Sequence, residues 1–192
     1  RDPYGWDWSE VTASSVGLCN DKGDVLEGDN EVEDTAFFIH SRIHIGAPHA
    51  ICVLHTHMPY ATSITLVEEG RLEMIEQNAL LFDGRISYDD GYEGLALATE
   101  EGDRLARKIG NKSILFMASH GIVVAGTTVA DAFNDLYYLE RAAMFQVLAK
   151  SQGRSLRTIS DRVRKETRKQ FVTEAPKLAD RHFSALRRIL DN

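Results

Sequence analysis

The sequence predicts an α/β fold in which a mixed sheet carries helices on both faces. Short apolar runs at residues 50–54, 113–118 and 122–124 are too brief for helices and read as buried strands, whereas residues 99–109 and 128–150 have helical spacing. The two kinds are interspersed without a strict βαβ rhythm, so a mixed sheet fits better than a Rossmann winding. Neither a GxGxxG stretch nor a P-loop is present to argue otherwise.

Taken in order, residues 16–20 and 25–26 are apolar pieces joined by Asp21-Lys22-Gly23-Asp24, which suits a tight hairpin turn. Residues 27–34 are acidic and contain Gly28, hence a loop. Thr35 can cap a helix running to about His44, with Phe38, Ser41 and Ile45 on one face and Gly46-Ala47-Pro48 as its stop. After the strand at 50–54 come His55-Thr56-His57, then Pro59, which suits a first helical turn, and a helix over residues 60–67. Tyr88-Asp89-Asp90 reads as a turn, and Glu100-Glu101 as the start of the 99–109 helix that closes on Gly110. The strands at 113–118 and 122–124 are interrupted by Ser119-His120-Gly121. Thr128 with Asp131 resembles a capping box for a helix through about Lys150, with Val129, Ala132, Phe133, Leu136 and Ala143 on its apolar face. The remainder is charged and helical.

Composition narrows the function classes. A chain of 192 residues with 43% hydrophobic content can bury one substantial core, so residues 1–192 are expected to form a single domain. The formal net charge is -7 and the basic residues are scattered until near the end, which argues against a nucleic-acid partner. No targeting segment and no apolar run of membrane-spanning length is visible, which makes the cytoplasm the default compartment. Cys19 and Cys52 each lie in an apolar stretch and read as core thiols rather than a disulfide framework.

The candidate chemistry lies in three histidines. Along an extended backbone residues two apart project to the same side, so His55 and His57 face one point. His120 sits at another strand exit beside Gly121, where a missing side chain lets backbone and ligand approach closely. Three imidazoles with an open position make a catalytic metal site, since a structural site is normally closed by four protein ligands. Seven histidines scattered at random give an H-x-H pair with a chance of roughly a quarter, so the pair alone is a weak motif. Its place between a buried strand and a Pro-initiated helix strengthens it. Zinc and iron(II) both suit imidazole. His40, His44, His49 and His182 read as solvated or hydrogen-bonded structural residues.

Ile39-His40-Ser41-Arg42-Ile43-His44, followed by Val53-Leu54-His55-Thr56-His57-Met58-Pro59-Tyr60-Ala61-Thr62, resembles the signature of the class II aldolase and adducin superfamily, and Ser119-His120-Gly121 resembles its second signature. The similarity runs from Asp2-Pro3-Tyr4-Gly5 to the long helix after Thr128. It implies a three-layer α/β/α class II aldolase-like fold, a homotetramer with active sites near subunit interfaces, and His55, His57 and His120 as ligands of one divalent metal ion, with Zn2+ favoured over Fe2+. The family's Gly-Asn phosphate loop is expected upstream of Arg1, outside the sequence. Sugar-phosphate aldolases of the family carry an acid/base Glu where this chain has Ala36, and a related dehydratase carries one where this chain has Asn78.

Three functions follow. The first is a metal-dependent lyase acting on a small hydroxy- or keto-acid, by carbon-carbon cleavage or decarboxylation through a metal-stabilised enediolate; Tyr60 or water on the ion then handles protons, and Asn78 orients substrate. The second is a non-haem iron(II) oxygenase that oxidatively decarboxylates an aromatic keto- or hydroxy-acid, as a few relatives do. The third is an adducin-like, non-catalytic interaction domain, against which the retention of all three histidines argues.

Overall fold

The computed structural model describes residues 5–7, 9–28 and 31–190, so the Asp2-Pro3-Tyr4 part of the resemblance lies outside the described residues. A small hairpin, β1 (Leu18–Cys19) and β2 (Val25–Glu27), leads into helix α1 (Asp34–Gly46). Strand β3 (Cys52–Thr56) is followed by two short helices, α2 (Pro59–Thr65) and α3 (Gln77–Leu80). Then come β4 (Ile86–Asp89), α4 (Thr99–Ile109), β5 (Ile114–Met117) and β6 (Gly121–Gly126). Helices α5 (Val129–Lys150) and α6 (Asp161–Leu190) close the described chain.

The central sheet has the order β3-β6-β5-β4. β6 pairs antiparallel with both β3 and β5, whereas β4 and β5 are parallel, so the sheet is mixed as the sequence predicts. Along β5 the side chains alternate between two cores. Ile114 and Phe116 join Ala61, Ile64, Phe82, Leu139 and Ala143 beneath α2 and α5, and Leu115 and Met117 join Ile39, Ile43, Leu105 and Ile109 beneath α1 and α4. Burial on both faces explains why β5 and β6 read as continuous apolar runs. Helices α1 and α4 approach closely where they lack side chains: a Cβ on Gly102 would lie 2.4 Å from the Phe38 carbonyl oxygen, and one on Gly46 2.9 Å from the Ala106 Cβ.

Several local expectations are corrected. The strand expected at 50–54 begins at Cys52 and continues to Thr56, because its ladder with β6 runs from Cys52–Gly126 to Thr56–Ile122 and, among the described residues, no strand pairs with Ala50 or Ile51. His55 is therefore inside the strand. Glu33, not Thr35, caps α1: its carboxylate accepts the N–H groups of Thr35 at 3.1 Å and Ala36 at 2.6 Å. The buried residues of α1 are Phe37, Ile39 and Ile43, where the helix meets α4 and the sheet, and they lie outside the Phe38, Ser41 and Ile45 set that the spacing groups together. Tyr88 and Asp89 belong to edge strand β4 instead of a turn. Its polar alternation hid it, and the buried Asp89 is paired with Arg104 at 2.6 Å and Lys108 at 3.4 Å.

On α5, Ala132 and Ala143 are buried in the core and Leu136 packs against it, as the spacing predicts, with additions and one exception. Val129 is exposed, while Asn134, Asp135 and Gln146 are buried because each meets a specific partner. Asn134 Oδ1 accepts from His182, Asp135 pairs with Arg85, and Gln146 bridges the Arg71 carbonyl and the Glu73 N–H. Helix α6 lies outside α5, with Ala179 buried and Phe171 and Ala175 packed on the α2/α5 core. Cys19 and Cys52 are both free and half-buried.

Candidate metal centre

Three elements deliver one imidazole each to the same edge of the sheet. His55 shares the α1/α4 side of β3 with Val53, His57 follows the strand by one residue, and His120 sits in the tight connection between β5 and β6. That connection is closed by the His120 N–H donating to the Met117 carbonyl at 3.2 Å, and Ser119 adopts a positive φ of 56° to make the turn. A non-glycine residue held in this region stores strain of about 1–3 kcal/mol, which the surrounding structure must offset. The ring centroids form a nearly equilateral triangle of 5.0, 4.9 and 4.9 Å, with planes 70–75° apart. One nitrogen from each ring lies within 4.8 Å of the others.

The donor chemistry fits a cation. The Ile122 carbonyl can only accept, so His55 donates to it through Nδ1–H at 2.9 Å and turns Nε2 towards the centre. His57 Nε2 lies 3.2 Å from His55 Nε2. Two ring nitrogens that close need a proton or a cation between them. Tetrahedral zinc with bonds of about 2.0–2.1 Å separates its nitrogen donors by roughly 3.3 Å, which matches. Burial, reinforced by the neighbouring His120 and His57 and opposed by the Ile122 hydrogen bond and Glu33, lowers the His55 pKa to about 4. Burial and His57 also lower His120. Both rings are thus held neutral, the form that ligates.

The sequence-predicted groups divide. The three histidines converge. Neither Tyr60 nor Asn78 makes a hydrogen bond or ring contact with them among the described residues. The Tyr60 ring is partly buried against the α2/α5 core, and Asn78 stands in the first turn of α3 with its N–H donating to Glu76 at 2.8 Å. The remaining histidines are structural where their bonds are resolved: His44 binds the Ala50 carbonyl, His49 the Lys112 carbonyl, and His182 Asn134.

Four neighbours escaped the sequence reading. The exposed Tyr92 ring lies 6.4 Å from that of His120. Glu33 at the α1 N-terminus acts electrostatically on His55, and Glu101, gripped by Arg104 through two 2.7 Å bonds, acts on His120. Glu140 of α5 binds the backbone just after His57. No spacing pattern links any of them to the histidines. Only the acidic stretch before α1 hinted that a carboxylate could cap it.

Residues 2–147 match the family model described as the class II aldolase and adducin N-terminal domain. The chain belongs to this family. It is 33% identical over 172 residues to a putative aldolase class 2 protein of Caulobacter vibrioides, covering 88% of this chain and 66% of that protein. Human beta-adducin is 31% identical over 208 residues, covering 99% of this chain and 28% of adducin. The crystal structure of an aldolase II superfamily protein from Pseudomonas syringae superposes with a TM-score of 0.90 at 30% identity, over 99% of this chain and 76% of that one. The chain thus spans just under two thirds of the Caulobacter relative and little over a quarter of adducin. No helix among the described residues is long and apolar enough to cross a membrane.

Proposed function

We propose that this protein is a metal-dependent lyase of class II aldolase type, acting on a small hydroxy- or keto-acid by carbon-carbon cleavage or decarboxylation. The observation that carries the reading is the converging imidazole triangle of His55, His57 and His120. A divalent ion held there, zinc before iron(II), supplies Lewis acidity for the negative charge that develops when a bond beside a carbonyl breaks. The chain's own residues do the rest. His55 is oriented by Ile122, and three protein donors would leave the fourth position of a tetrahedral ion for a ligand. Tyr60, on the turn after His57, is proposed to handle the proton and Asn78 to orient substrate. The hydroxyl of Tyr60 makes no hydrogen bond among the described residues and remains available for exchange. Tyr92 adds a second phenol on the His120 side.

Slow or absent aldol cleavage of sugar phosphates fits the departures at Ala36 and Asn78, since neither side chain can transfer a proton and general acid-base groups contribute about 10²- to 10⁴-fold. A cytoplasmic homotetramer is part of the same reading. The likeness to beta-adducin over 99% of this chain favours a second reading, a non-catalytic interaction domain.

Anaerobic purification, elemental analysis and an activity screen test the choice. Stoichiometric metal is expected, lost in His55→Ala, His57→Ala and His120→Ala and kept in His182→Ala. With metal loaded, α-keto and α-hydroxy acids should yield aldehyde or carbon dioxide, and sugar phosphates should be cleaved very slowly or not at all. Oxygen uptake coupled to decarboxylation would replace the lyase with an iron oxygenase. Absence of metal, with the histidine variants as stable as the parent, would select the interaction domain.

A further inference from the structure

The β3–β6 ladder stops at Thr56–Ile122, so His57 stands on a turn beyond it, while His120 stands on the β5–β6 turn that the Met117–Gly121 pair closes. One short element connects those turns. Helix α2 starts two residues after His57, and at its other end the Thr65 carbonyl accepts the Ser119 N–H at 3.1 Å, next to His120. Its seven residues are too few to form a helix unaided, since isolated helices shorter than about 12–15 residues are marginal in water. Its start is also poorly provided for. Met58 at the N-cap makes no side-chain cap, and Pro59 has no N–H, which leaves the amides of Tyr60 and Ala61 as donors without partners in the helix.

Glu140, half-way along α5, supplies both acceptors. Its Oε1 accepts from the Tyr60 N–H at 2.9 Å and its Oε2 from the Ala61 N–H at 2.8 Å. Among the described residues no ion pair engages this carboxylate, so it is committed to the backbone of α2. A carboxylate on the first-turn amides also meets the positive end of the helix dipole, which favours the anion there.

We infer that Glu140 is a positioning residue for the metal centre: it clamps α2 as a strut between the His57 turn and the His120 turn and so sets the spacing of two ligands. The inference rests on reading the imidazole trio as a metal site. Ligand distances in such sites are held to about 0.2 Å, so a small shift of the strut changes what the trio can hold. Loss of outer-shell partners of ligands typically costs 10- to 100-fold in metal affinity.

The test compares the parent with Glu140→Ala, Glu140→Gln and Asp83→Ala. The last breaks the 2.8 Å pair with Arg164 on α6, outside the trio, and reports on general loosening. Three quantities are measured: zinc affinity by competition with a chelating dye, the visible absorption of the cobalt(II)-loaded protein, and the melting temperature of the metal-free protein. Glu140→Ala should weaken zinc 10- to 100-fold and alter the cobalt bands. Glu140→Gln, which keeps one acceptor oxygen, should lie between it and the parent, and it carries the comparison if the alanine variant does not fold. Asp83→Ala should lower the melting temperature and leave zinc affinity unchanged. Parent-like zinc affinity and cobalt spectra in both Glu140 variants overturn the positioning role while leaving the metal site intact, and so does a loss of affinity in Asp83→Ala as large as theirs. A parent that takes up neither zinc nor cobalt overturns the metal reading itself and the inference with it.

Discussion

Gly121→Ala puts one methyl group where the ligand set has no room. The new Cβ would lie 2.6 Å from His57 Cδ2 and 2.7 Å from the Thr56 carbonyl oxygen, against an ordinary contact of at least 3.4 Å. Relief therefore requires a displacement of about 0.8 Å (3.4 minus 2.6). The Thr56 oxygen belongs to the β3–β6 ladder and resists, so most of the movement falls on the His57 ring. Overpacking of this kind costs about 1–3 kcal/mol, which for a domain of this size lowers the melting temperature of the metal-free protein by roughly 2–12 °C. The larger effect is on metal. A shift of 0.8 Å exceeds a third of a bond of about 2.0–2.1 Å, so His57 drops out of the coordination set and zinc binding should weaken by more than 100-fold. Calorimetry on metal-free protein and a chelator competition on loaded protein separate the two effects. A Gly121→Ala protein that melts and binds zinc like the parent would refute the reasoning, because the methyl group would then have found space that the structure denies it.

Two further outcomes are expected. In the metal-free protein His55 has a pKa of about 4 against an ordinary value of 6.5, so between these values the unfolded chain takes up a proton that the folded chain refuses. Stability contributed by the neutral ring is full above pH 6.5 and is lost as pH falls towards 4, by up to about 3 kcal/mol (2.5 units at about 1.36 each); His55→Gln should flatten the melting profile in that window, and parallel profiles would count against it. Leu66, Val67, Tyr92, Leu95 and Leu97 are exposed on loops, and closed self-association is the expected way to cover them; light scattering should give about 86 kDa for four chains of 21.5 kDa, and a monomer at micromolar concentration would count against a tetramer.

The sequence by itself determined the α/β class, strands β3, β5 and β6 and the same-side placing of His55 and His57, to which the family resemblance added His120 as a candidate ligand. These follow from local rules: apolar runs of strand length mark a sheet buried on both faces, and the period of two puts His55 and His57 on one side. The hairpin, the Thr128 cap and the 99–109 helix were legible for the same reason, since turn and cap residues act on neighbours in the chain.

Only the tertiary structure decided what depends on residues far apart. Asp89 looked like part of a turn because its burial is made possible by Arg104 and Lys108 on another helix. The core face of α1 was set by α4, and the buried polar face of α5 by Arg85, His182 and the backbone at residues 71 and 73. The clamp by Glu140 on α2 crosses eighty positions of sequence and leaves no periodic trace. A hydrogen bond or ion pair needs only that two groups meet in space, and the chain order imposes no spacing on where they meet.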